Sequence, residues 1–116
     1  MVQNFNFDSI AIKIPKRLEN SHKGSFGKVL VVGGSDGMGG AAILSSEACL
    51  FCGAGLVHLN THPSNVEASL IRNPEIMAFG INKNLSIPDK VDVLLCGPGL
   101  KNDTWSNNVF NEVYET

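Results

Sequence analysis

Seven of the twelve glycines fall between Gly24 and Gly40, and this cluster straddles a short apolar run. Lys28-Val29-Leu30-Val31-Val32 is β-branched, apolar and ends on Gly33-Gly34, so it reads as a strand buried on both faces. A buried strand that delivers the chain straight into glycines predicts a turn built from backbone. Glycine there admits positive φ and lets another backbone or a ligand come close.

The rest of the chain alternates in the same style. Ser35 to Gly40 reads as a loop, and Ala41 to Cys52 as a helix. Ala41, Leu44, Ala48 and Phe51 fall near one face of that helix, with Ser45, Ser46 and Glu47 partly on another. Gly53-Ala54-Gly55 terminates it as a C-cap. Leu56 to Thr61 is a second strand. Ser64, with Glu67 three positions on, predicts a capping box for a helix over Asn65 to Arg72. Ile76 to Ile81 is a weaker third strand, residues 82–90 a loop, and Val91 to Cys96 a fourth strand ending at Gly97-Pro98-Gly99. Asn102 or Asp103 caps a last helix from Thr104 to the end. The first ~20 residues show no clear element beyond a short helix or turn around Pro15-Lys16-Arg17-Leu18. Strands alternating with helices imply βαβ units, hence an α/β fold with a parallel sheet and helices on both faces.

Composition narrows the function classes. The 116 residues are 43% apolar and 17% charged, enough apolar content for a core. No run reaches the ~18 apolar residues of a membrane span, and no secretory signal opens the chain, so a cytoplasmic protein without membrane partners is expected. A net charge of -2 argues against a nucleic-acid partner. Residues 1–28 nevertheless carry five basic and two acidic residues, a basic start that is a solvated arm or a segment facing an anion beside the glycine loop. Cys49, Cys52 and Cys96 make an odd set with no disulfide framework. Cys49-Leu50-Phe51-Cys52 lies late in a predicted helix, where the dipole disfavours thiolate, and no second ligand pair completes a zinc site. These cysteines are expected to be buried apolar residues, with no metal site.

Two strands end in glycine turns, Gly33-Gly34-Ser35 and Gly97-Pro98-Gly99. Ligands of open parallel sheets bind outside the carboxyl ends of strands, so the two turns predict a crevice. A phosphate-binding P-loop is excluded, because Gly40-Ala41 stands where Lys and Ser/Thr are required. Gly37-Met38-Gly39-Gly40-Ala41-Ala42 fits a dinucleotide-binding G-x-G-x-x-A. A four-residue insertion precedes it, however, and the second strand ends in Asn60-Thr61-His62 rather than an acid. A dinucleotide-dependent oxidoreductase lacks that support, and the plain alternative is a tight strand–helix turn.

Read in order, His22-Lys23-Gly24-Ser25-Phe26-Gly27, Gly33-Gly34-Ser35, Gly39-Gly40-Ala41-Ala42, Gly53-Ala54-Gly55-Leu56-Val57, Pro74-Glu75 and Gly97-Pro98-Gly99-Leu100 resemble the ADP/ATP-dependent NAD(P)H-hydrate dehydratase family. That family belongs to the ribokinase-like, carbohydrate-kinase-related superfamily, and the match runs from about Arg17 to Leu100. The resemblance implies a metabolite-repair lyase. It dehydrates hydrated NADH or NADPH at the expense of ADP or ATP, with Mg, by phosphorylating a hydroxyl that then leaves as phosphate. It further implies that Gly40, Ala41 and Gly99 face the hydrated nucleotide, that Ser35 and Lys23 are secondary contacts, and that the protein self-associates as a homo-oligomer.

The family's catalytic aspartate and nucleotide site sit in a G-T-G-D type motif late in the domain. No G-x-G-D follows Leu100 here, so no catalytic residue is assigned. Trp105 to Thr116 reads as a helix ending on Glu112 and Glu115 without a stop signal, which the dipole disfavours. The expectation is therefore an N-terminal portion of one ribokinase-like domain, residues 1–116, with 1–27 as an arm and 28–116 as βαβ units. Such a portion is inactive by itself. The alternative is a non-catalytic nucleotide-binding or oligomerisation module of the same fold.

Overall fold

The structure is a computed structural model that describes residues 2–9, 16, 19 and 26–116. The turn or helix expected around Pro15 to Leu18 and most of the His22–Gly27 motif, Lys23 included, lie outside the described residues. A 3-10 turn over Phe7–Ser9 was not expected from the sequence.

Strands β1 (Lys28–Val32), β2 (Leu56–Thr61), β3 (Met77–Gly80) and β4 (Val93–Cys96) form a parallel sheet in the order β3-β2-β1-β4. Helices α1 (Gly39–Phe51) and α2 (Val66–Arg72) lie on one face, and α3 (Thr104–Glu115) on the other. Val31, Val57 and Leu59 meet Ala42 and Ile43 of α1 on the first face. Leu30, Val32 and Ile81 meet Val109 of α3 on the second. The alternation of β1 residues between these cores makes it a strand buried on both faces, as its composition requires.

The chain runs β1 to β2 to β3 in one direction, then crosses to place β4 on the other side of β1. Asn60 fixes that crossing. Its buried amide donates to the Ser86 carbonyl (3.1 Å) and accepts from the Ser86 N–H (2.6 Å). Trp105 adds an Nε1–H bond to the Ile81 carbonyl at 3.0 Å, and Asp103 caps α3 by accepting from the Ser106 N–H at 2.8 Å.

Three local expectations are corrected. Helix α1 buries Ala42, Ile43, Ser46 and Glu47, while Leu44 is 56% and Phe51 76% exposed. The apolar face read from the sequence is thus turned outward. Apolar residues occur all round this helix, so periodicity carried little directional information, and small residues let the helix sit close to β1 and β2. The Ser64–Glu67 capping box does not form. Pro63–Asn65 is a 3-10 turn capped by His62, α2 starts at Val66, and the Ser64 hydroxyl is drawn to Asp36 Oδ1 (2.8 Å). Cys52 ends α1 on the surface, whereas Cys49 and Cys96 pack against the two cores.

Candidate functional site

The carboxyl ends of β1 and β4 are neighbours at the point where strand order reverses, the position where α/β sheets bind ligands. The two glycine turns do meet there, but they close on each other. The Gly34 N–H donates to the Pro98 carbonyl (2.8 Å) and the Ser35 N–H to the Gly99 carbonyl (2.9 Å). The Gly34 carbonyl accepts from the His62 N–H (3.0 Å), Thr61 Oγ1 (3.0 Å) and Asn65 Nδ2 (2.8 Å). This ties β1, β2, β4 and α2 into one knot of backbone.

The knot explains its glycines. A Cβ at Gly33 would strike the Pro98 carbonyl. Gly34 has φ +75°, and a Cβ there would strike Thr61 Oγ1. Gly99 has φ +72°, and its Cβ would strike the Met38 carbonyl. These residues are glycine because the fold demands it.

Open space lies beside the knot. A groove of about 470 Å3 runs between α1 and α2, with Gly37, Gly39 and Gly40 on one wall and Asn65, Ala68 and Arg72 on the other. Gly40 is exposed, its φ is not positive, and a Cβ there would meet nothing within 4 Å. Ala41 follows it, also exposed.

Ser35 has a different position from the one expected of a ligand contact. It is 0% exposed. Its Oγ shares a hydrogen bond with Ser106 Oγ (2.6 Å) and accepts from the Lys101 N–H (2.9 Å). Ser35 therefore pins the β1 loop to the β4 loop and α3. The sequence reading missed Asn65 and Arg72 as groove residues, having placed them only as the ends of a helix. The signal was present for Asn65, whose type suits a loop-binding cap.

Two cations and two carboxylates lie around the groove. Arg72 Nε donates to Glu47 Oε1 at 2.6 Å, which raises the guanidinium further above its ordinary range. Lys101 Nζ lies beside Gly37. Asp36 is nearby, with Oδ1 occupied by Ser64. A magnesium ion needs oxygen ligands. The groove's ionic lining residue is a cation, the carboxylate beside it is committed to Arg72, and among the described residues no three acidic, His or Cys side chains gather. The groove fits an anionic organic ligand rather than a metal. Burial pushes the Cys96 thiol up, which leaves it a packing residue.

Comparison with known proteins agrees with this architecture. A solved ribokinase-like superfamily protein from Enterococcus faecalis superposes with a TM-score of 0.80 at 36% identity, covering 86% of this chain and 36% of its own. The Bacillus subtilis ADP/ATP-dependent NAD(P)H-hydrate dehydratase, co-crystallised with ATP/Mg2+, gives 0.74 at 26% identity, covering 89% and 39%. The ADP-dependent (S)-NAD(P)H-hydrate dehydratase of Staphylococcus aureus is 46% identical over 101 residues, 84% of this chain and 37% of the relative. The bifunctional NAD(P)H-hydrate repair enzyme of Vibrio cholerae is 42% identical over 103 residues, 86% and 21%. The chain thus spans between a fifth and two fifths of these relatives' lengths. The family profile described as NAD(P)H-hydrate dehydratase matches residues 29–116. With that match laid over a ribokinase-like parallel sheet, this chain belongs to the NAD(P)H-hydrate dehydratase family.

Proposed function

We propose that this chain supplies the substrate-holding wall of an ADP- or ATP-dependent NAD(P)H-hydrate dehydratase, and that turnover requires residues it does not contain. In this reading residues 1–116 are the N-terminal portion of one domain, an arm over 1–27 leading into βαβ units over 28–116. Gly40 and Ala41 face hydrated NADH or NADPH, and Gly99 shapes the turn behind them. Ser35 positions that turn by joining its two loops. The Mg-nucleotide belongs to the part of the site that carries a G-x-G-D, a motif absent from this sequence. When bound, it supplies the phosphoryl group that turns the substrate hydroxyl into a leaving group.

Gly40 is the observation that carries the reading. Glycine near a helix start costs up to about 1 kcal/mol against alanine. Gly33, Gly34 and Gly99 offset such a cost by close packing, and Gly40 has no such neighbour. Its missing side chain leaves room for a ligand. Small-molecule sites commonly occupy roughly 300–1,000 Å3, and the groove of about 470 Å3 is within that range.

A homo-oligomer and a cytoplasmic location complete the proposal. Val93, Leu94 and Leu95 on the outer strand β4 are apolar and exposed, which supports association. No helix among the described residues is long and apolar enough to cross a membrane. The test is a calorimetric titration of the chain with hydrated NADPH, run beside a turnover assay with ADP or ATP. Binding without recovery of NADPH supports the proposal. Turnover by these 116 residues would overturn it, and no binding would leave the alternative of an oligomerisation module.

A further inference from the structure

We infer that the groove between α1 and α2 takes a phosphoryl group of the dinucleotide and that Arg72 is the side chain that holds it. This deepens the proposed function and rests on its placement of substrate at Gly40. The Glu47 side chain is 10% exposed on the inward face of α1, where an unpaired carboxylate is costly. Arg72 meets it, but only through Nε. An arginine that serves only to neutralise a carboxylate commonly does so with two parallel N–H bonds. Here both Nη groups remain without a partner among the described residues, on a side chain 58% exposed and lining the groove. Glu47 thus holds a charged fork by its inner edge and leaves the outer edge for an anion.

The walls fit such a ligand. Gly37, Gly39 and Gly40 present no side chains, Ala68 presents a methyl group, and Ile43 and Leu44 supply apolar surface. Arg72 stands in the same groove as Gly40, so one extended ligand can reach both. Lys101 beside Gly37 adds a second cation, set against the nearby Asp36 carboxylate, which accepts from the Ser64 hydroxyl. A dinucleotide offers two phosphoryl sources, the diphosphate common to both cofactors and the 2′-phosphate of the NADP form.

The test titrates the chain with hydrated NADPH and hydrated NADH, comparing wild type with Arg72→Gln, Arg72→Lys and Gly40→Leu. The paired substitution Glu47→Gln with Arg72→Gln guards against an orphaned buried carboxylate unfolding the single variant. Arg72→Gln and the pair are expected to weaken binding roughly tenfold, the scale of one charge-assisted hydrogen bond, with the loss shrinking at high salt. Loss for hydrated NADPH alone identifies the 2′-phosphate, and equal loss for both identifies the diphosphate. Arg72→Lys keeps part of the affinity. If both Arg72-free variants bind either ligand within twofold of wild type while Gly40→Leu loses binding, the inference fails and the proposed site stands. If wild type binds neither ligand, the proposed site itself fails, and the inference with it.

Discussion

Gly40→Ala separates a glycine kept for the fold from one kept for a ligand. The residue is the second of α1, its φ is not positive, and a Cβ would have no neighbour within 4 Å. The methyl group therefore adds no steric cost. It removes glycine's extra freedom in the unfolded chain, worth about 0.4–1 kcal/mol. For a domain of this size that gain raises the midpoint of thermal unfolding by roughly 2–5 °C. Gly99→Ala is the counterpart. At φ +72° alanine costs roughly 1–2 kcal/mol, and its methyl would strike the Met38 carbonyl. The total loss should reach about 3 kcal/mol. Urea unfolding followed by circular dichroism reads both variants, and an unchanged m-value shows that stability alone has moved. Hydrated NADPH titrated against Gly40→Ala should then bind more weakly although the protein is more stable. A Gly40→Ala protein destabilised by more than about 0.5 kcal/mol would refute the reasoning, because the fold would then need that glycine.

Three further perturbations test the packing. Ser69 is fully buried on α2 and its hydroxyl has no partner among the described residues, so Ser69→Ala should be neutral or stabilising by about 1 kcal/mol in the same urea experiment. Burial, and secondarily Lys28, holds His58 below the usual histidine range, so the folded state favours its neutral form. Stability from this group is full above about pH 6.5 and falls as pH drops below it. His58→Gln should flatten that fall, and an unchanged pH slope would exclude the assignment. Iodoacetamide should label exposed Cys52 well before Cys96, whose thiol is pushed up by burial; mass spectrometry of partly labelled protein reads the order.

The parallel sheet was legible because β1 carries an apolar, β-branched run that ends in glycines and β2 follows the glycines that close α1. Both strands span the residues expected of them. The orientation of α1 was not legible. Its apolar residues ring the helix, and it is packing against Val31, Val57 and Leu59 that turns Ala42 and Ile43 to the sheet while Leu44 and Phe51 face outward. The Ser64–Glu67 pattern misled for a related reason. A local cap competes with partners distant in sequence, and the Asp36 carboxylate took the Ser64 hydroxyl. At the candidate site, glycine composition marked the loops that meet at the strand ends but did not sort their members. Gly33 and Gly99 answer to Pro98 and Met38, contacts that appear only once β4 crosses to the far side of β1, and Gly34 answers to Thr61 at the end of β2. The resemblance implied Ser35 as a secondary ligand contact, and its buried bond to Ser106, which spans 71 positions, is not readable from local sequence.

The most direct test is to follow the backbone amides of the 116-residue chain by NMR while hydrated NADPH is added. The largest shifts should fall on Gly37, Gly39, Gly40 and Ala41 and extend to Arg72, and ADP or ATP should produce no NADPH. Shifts confined to residues outside the groove, or recovery of NADPH by the chain alone, would contradict it.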